Sequence, residues 1–420
     1  MRPAPEHVGF AGVLRRVRGA LRGRHGRALA VLAVAAAGPA AAGAHAASGA
    51  VEPPDDPLFA HQWNLSAIQI PAAWSVSRGA GAVVAVLDTG VAYETRGPYR
   101  RAPDLAGARF VAGYDFVDDD SHPNDVAPGD DRRSHGTQMA AIIAQTAGNA
   151  IGGAGVAPDA AIMPIRVLEP DLSGSVADVA RGLRFAADHG ADVANLSLSS
   201  LVREPVVSNA IAYAAAKGVT VVAAAGNDGH TPVSWPAADP GVIAVGAVGR
   251  NLTRAPYSNY GRGLDLVAPG GAGADVPEGY GPADGVVAQT LKGGPRQFCF
   301  CFTASTSAAA AQVSAVAALL VGSGRATGPA AVRAALLRSA RDLGRDGRDD
   351  QYGAGLVQAA GALRAATAGA RAPSGSSPRT TTGDGAPVSA PLAAAGGIAL
   401  AALLVALGLA MRRRRTRRAG

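Results

Sequence analysis

The two cysteines of this 420-residue chain, Cys299 and Cys301, are too few for a disulfide-held scaffold or for a structural zinc, which needs about four ligands arranged around it. Residues i and i+2 of a strand share a face, and a bridge between them would be strained, so the pair reads as small apolar packing residues. Lysine is almost absent, and the positive charge is carried by arginine. That charge is missing from the middle of the chain, where a nucleic-acid partner would need it. Of the formal +7, +6 lies on residues 1–46 and another +6 on residues 411–420, which leaves −5 between them. A mildly acidic domain gives no electrostatic footprint for DNA or RNA. No internal repeat is present.

The two ends read as address and anchor. Residues 1–46 run from an Arg-rich segment through the apolar stretch Ala28–Ala42 to Ala44-His45-Ala46, the pattern of a secretory signal peptide. Leu392–Met411 is 20 residues without a charge, enough as a helix to cross about 30 Å of hydrocarbon. Arg412–Arg415, Arg417 and Arg418 follow at once, as expected of a cytoplasmic tail spanning 412–420. Residues 368–391, rich in Ala, Gly, Ser, Thr and Pro, read as a flexible stalk. The expectation is an exported, single-pass membrane protein whose domain, residues 47–367, faces outward. Gly396-Gly397 leaves open a processed tail.

Within the domain, apolar β-branched runs at Ala82–Leu87, Ala161–Val167, Val193–Leu198, Val219–Ala225 and Val242–Val248 alternate with Ala-rich helical stretches. The helical stretches include Thr137–Gln145, Val176–His189, Val206–Lys217 and Ser307–Leu320. Strands without polar alternation must be covered on both faces. The fold class is therefore α/β, a three-layer sandwich around a mostly parallel sheet.

Candidate chemistry sits at the ends of these elements. The first run ends in Asp88-Thr89-Gly90, at the sheet edge where α/β folds place their sites. Aspartic proteases share this triplet but need two such carboxylates, and no second Asp-Thr-Gly or Asp-Ser-Gly occurs. Ser134-His135-Gly136-Thr137 opens the next helix, and an imidazole there could be oriented by Asp88. His122, in an acidic loop, is expected to be solvated. Ser305, Thr306 and Ser307 precede an Ala-rich helix whose N-terminus favours an oxyanion, and any of the three could instead be the N-cap. Asn227, in a Gly-rich turn after a strand, could donate its amide to the same oxyanion.

Taken in order, these segments resemble the subtilisin-like serine proteases. The frame segments Gly155-Val156-Ala157-Pro158, Tyr257-Ser258-Asn259-Tyr260-Gly261, Ala268-Pro269-Gly270 and Tyr352-Gly353-Ala354-Gly355 extend the resemblance over about 56–366, with a thermitase-like opening at Gln62-Trp63-Asn64. The resemblance implies a Ser307 nucleophile, His135 as base, Asp88 to orient it and Asn227 as oxyanion donor. It implies that Ser197-Leu198-Ser199 pairs with an extended protein or peptide substrate and that Ala224-Ala225-Gly226 walls the pocket before the cleaved bond. It implies no cofactor for the chemistry, and calcium as a structural ion at Asp118, Asp120 and Asp125. The chain departs from the family pattern at Ser305, Ala308, Ala311, Gln138 and Ser199, none of which removes a reacting atom. A catalytically silent, peptide-binding or scaffolding domain of the same fold is the alternative.

Overall fold

The structure is a computed structural model and describes residues 52–127, 134–272 and 284–370. The segments read as signal peptide, transmembrane helix and cytoplasmic tail lie outside these residues, as does the stalk beyond Ala370. Among the described residues no helix is long and apolar enough to cross a membrane.

Strands β1 (Val83–Asp88), β2 (Arg109–Phe110), β3 (Tyr114–Asp115), β4 (Ala161–Arg166), β5 (Val193–Leu196), β6 (Thr220–Ala224), β7 (Ile243–Val248) and β8 (Leu266–Pro269) form one sheet. Its order is β2-β4-β1-β5-β6-β7-β8, with β3 also on β4, and every pairing is parallel. The α/β expectation therefore holds. β4 through β8 are buried at every position, because helices cover both faces. A separate antiparallel pair joins β9 (Val286–Leu291) to β10 (Phe298–Thr303).

The helices are α1 (Trp63–Ala67), α2 (Ile70–Trp74), α3 (His135–Ala144), α4 (Val176–Asp188), α5 (Pro205–Ala216), α6 (Thr306–Gly322), α7 (Pro329–Ser339) and α8 (Ala359–Ala370). α8 runs three residues into the segment expected to be stalk. α6 packs on β5 to β8 and on α3, and every side chain from Thr306 to Leu320 is buried. Its small residues allow that approach. Ala308 to Ala311 are fully enclosed, so a larger side chain there would have to displace sheet or helix.

β10 holds one correction. Cys299 and Cys301 form a disulfide, with Cα atoms 5.4 Å apart. A fully extended strand would hold them about 6.6 Å apart, so the pairing depends on a local contraction that the expectation of two free thiols did not include.

Candidate active site

β1 is an apolar strand whose last residue, Asp88, is fully buried at the C-terminal edge of the sheet. The N–H of Thr89 donates to Asp88 Oδ1 at 2.8 Å and holds the carboxylate as the chain turns. α3 begins directly against this turn. A Cβ on Gly136 would lie 2.1 Å from the Gly90 carbonyl oxygen, so only glycine lets the helix start touch the strand end. The approach brings His135 Nδ1 to 2.8 Å from Asp88 Oδ1 and 2.9 Å from Oδ2. Burial opposes charge on this imidazole, but the charge and hydrogen bond of Asp88, with the charge of Asp125, outweigh it and raise its pKa above the usual value. The His135 side chain is 18% exposed, which leaves its far edge open to the cleft.

The three hydroxyls before α6 take separate tasks. Ser305 is the N-cap: its Oγ accepts from the Ala308 N–H at 3.1 Å. Thr306 Oγ1 donates to Asn227 Oδ1 at 2.9 Å, and the Thr306 N–H donates to the same oxygen at 2.8 Å. An N–H can only donate, which fixes Asn227 with its oxygen toward the helix and its NH₂ turned away. Ser307 is left facing the cleft, with its Oγ donating to the Ser197 carbonyl at 3.4 Å. Of the first four N–H groups of α6, only that of Ser307 lacks an acceptor among the described residues; Ala309 donates to the Ser305 carbonyl.

His135, Asn227 and Ser307 line one cleft of about 540 Å³, with Ser197, Leu198, Ser199 and Ala224 on its wall. β5 ends at Leu196, two residues before the expected end, so Ser197 and Leu198 leave the sheet for the cleft. Among the described residues the main chains of Leu198 and Ser199 have no hydrogen-bond partner, while Ser200 is already paired with Trp235. Ala225 and Gly226 do not line the cleft. The main chain of Ala225 is committed to Val245 and Ser234, and Gly226 binds Asn259 and Thr306. The opposite wall, Leu168, Leu172, Gly174, Val176 and Val179, was missed by sequence reasoning, because this connection carries no motif. Gln138 faces away from the cleft and donates to the Cys301 carbonyl at 2.9 Å.

The carboxylates of the acidic loop are engaged with other groups of the protein. Asp118 pairs with Arg166 at 2.5 Å, Asp120 Oδ1 accepts from the His122 N–H at 2.7 Å, and Asp125 is buried among hydroxyls. Among the described residues no three His, Cys, Asp or Glu side chains gather where they could hold a metal ion. His122 is only partly exposed and pairs with Glu94 at 3.1 Å, rather than standing free in solvent. Asp104, in contrast, is fully buried, and its Oδ2 has no hydrogen-bond partner among the described residues. Burial pushes its pKa up to about 7, with nearby Asp56 adding to the effect and Asn149, the Gly153 N–H and Gln145 opposing it.

The subtilase family profile matches residues 79–355. Thermitase from Thermoactinomyces vulgaris is 42% identical over 52% of this chain and 73% of its own length. Subtilisin BL from Lederbergia lenta is 36% identical over 72% of this chain and 98% of its own. Among solved structures, a protease from Pseudoalteromonas arctica superposes with a TM-score of 0.65 at 31% identity, over 74% of this chain and 99% of that one. With a relative covered almost end to end and the profile spanning the whole sheet, the chain belongs to the subtilase family and is a serine-type endopeptidase.

Proposed function

We propose that this protein is an exported, surface-anchored endopeptidase that cleaves peptide bonds through an acyl-enzyme on Ser307. The observation that carries the reading is the pair of short contacts between Asp88 and His135, set in the cleft that Ser307 also faces. His135 takes the Ser307 proton as the hydroxyl attacks the substrate carbonyl, and Asp88 orients the ring and stabilises the imidazolium. The oxyanion forms beside the unpaired Ser307 N–H and the Asn227 amide. His135 then protonates the leaving amine, and a water repeats the sequence to release the acid.

The unpaired main chains of Leu198 and Ser199 suit an extended peptide, which adds as a strand and makes few demands on its sequence. The leader at 1–46 and the charge-free stretch 392–411 with its arginine block support export and anchoring. Calcium is commonly a structural ion among subtilases. Asp118, Asp120 and Asp125 do not fit it, whereas the buried, unpaired oxygen of Asp104 next to Asp56 has the chemistry of a hard-cation site.

Labelling the full chain with a fluorophosphonate probe and digesting a peptide library tests the reading. Wild type is expected to label and cleave, and Ser307→Ala to do neither. Equal labelling of the two proteins, or ester turnover without peptide cleavage, would overturn it. Protease accessibility of the domain on intact cells tests its orientation.

A further inference from the structure

Asp125 has no part in the steps above, yet it is 1% exposed at the contact between the turn after Asp88 and the start of α3. Its Oδ1 accepts from Thr89 Oγ1 at 2.9 Å, and its Oδ2 accepts from the Thr137 N–H at 2.8 Å and from Thr137 Oγ1 at 2.5 Å. Thr89 Oγ1 in turn accepts from the Gly136 N–H at 2.9 Å, and Thr137 Oγ1 accepts from the Ala92 N–H at 3.0 Å.

An ionised carboxylate can only accept, so each hydroxyl gives its proton to Asp125 and keeps its lone pairs for an amide of the opposite segment. Thr89, next to Asp88, holds the residue after His135. Thr137, on α3, holds the chain leaving the Asp88 turn. Without the carboxylate, both hydroxyls lose the partner that sets their direction.

We infer that Asp125 is a positioning residue: it locks the Asp88 turn onto the start of α3, and its charge adds to that of Asp88 in acting on the His135 imidazole. This rests on the protease reading, in which His135 becomes an imidazolium during attack. Among the described residues, Asp88 from β1 and Asp125 from its loop are the charged groups that act on the ring. Burial, with the nearby charge of Asp88 adding to it, raises the Asp125 pKa to about 7 against the hydrogen bonds of Thr137 and Thr89.

The test compares full-length wild type with Asp125→Asn, Asp125→Glu, Thr89→Val and Thr89→Ser. Asp125→Asn is expected to lower kcat about 10- to 100-fold, the range of a general-base contribution in part lost, with KM within about twofold. Its acid limb of kcat/KM is expected to move to lower pH, since an imidazole without the second anion holds its proton less tightly. Asp125→Glu is expected to return the limb toward wild type without restoring kcat. The His135 titration, followed by NMR of the histidine-labelled full chain carrying Ser307→Ala, reads the same interaction without turnover and is expected to shift in the same direction.

If Asp125→Asn does not fold, the Thr89 pair decides: Thr89→Ser, which keeps the hydroxyl, should lose much less kcat than Thr89→Val. An unmoved imidazole titration in Asp125→Asn, a loss confined to KM, or equal kcat for the two Thr89 variants would overturn the inference. A wild type that cleaves no peptide while the imidazole titration still shifts would count against the protease reading alone.

Discussion

The corner that holds Asp88 and His135 and the walls that flank the cleft are built on opposite plans. At the corner two glycines let main chains touch, buried threonines and carboxylates satisfy one another, and water is kept out. Along the walls, Leu172 is 52% exposed and Val176 42%, and the strand-like edge of Leu198 and Ser199 is unpaired among the described residues. Proton transfer needs its partners fixed within tenths of an ångström, whereas a general endopeptidase must accept many side chains. Substitutions at the corner should therefore cost rate, and substitutions on the walls should cost binding.

The largest effect is expected from Gly136→Ala. Its Cβ would stand 2.1 Å from a main-chain oxygen that cannot rotate away, so α3 and β1 must part. Activity should fall more than about 100-fold even in protein that melts cooperatively, as a 1 Å misplacement can cost that much. Asn227→Ala comes next, with kcat falling about 10²- to 10³-fold and KM nearly unchanged in steady-state assays on peptides. On the wall, Leu172→Asp should raise KM for apolar peptides about 5- to 10-fold, corresponding to about 1 kcal/mol of lost contact, with kcat little changed. A drop in kcat there would erase the contrast between the two regions.

The pH profile sharpens the same contrast. Because His135 holds its proton more tightly than a free imidazole, the acid limb of kcat/KM should be centred above the usual value near 6.5. A limb centred below it would mean that the Asp88 contact does not persist in solution.

The smallest effect is one of stability. Asp104 has a folded pKa near 7, above the ordinary carboxylate value, so its contribution is most favourable below about pH 4 and is lost as pH rises through 7. In chelator at pH 8, Asp104→Asn should raise the melting midpoint by a few degrees, because it removes a buried charge. Added calcium should stabilise wild type and leave the variant unmoved, as scanning calorimetry would show.

Most of the corner was legible in the sequence. Asp88, His135 and Ser307 sit at ends of elements whose apolar runs are unambiguous, and each carries a short flanking motif. What escaped depended on contacts between distant segments. Asp125 looked like a calcium ligand because it follows three other aspartates along the chain, and only the fold shows it turned inward to Thr89 and Thr137. The resemblance puts Ala225 and Gly226 in the substrate pocket with Ala224, but the main chain of Ala225 is committed to Val245 and Ser234 and that of Gly226 to Asn259 and Thr306. The Leu168–Val179 wall had no signal to find, since its role is set by where β4 releases the chain and not by residue type.

The anchoring of Asn227 to Thr306 has a mechanical consequence. Thr306 is bonded to Ser307, so the proposed oxyanion donor is geared to the same helix end as the proposed nucleophile. If α6 shifts as the molecule breathes, donor and nucleophile travel together, and their spacing is preserved. Only His135, carried on a different helix, can fall out of step, and it is to that helix that the buried Asp125 clamp is applied.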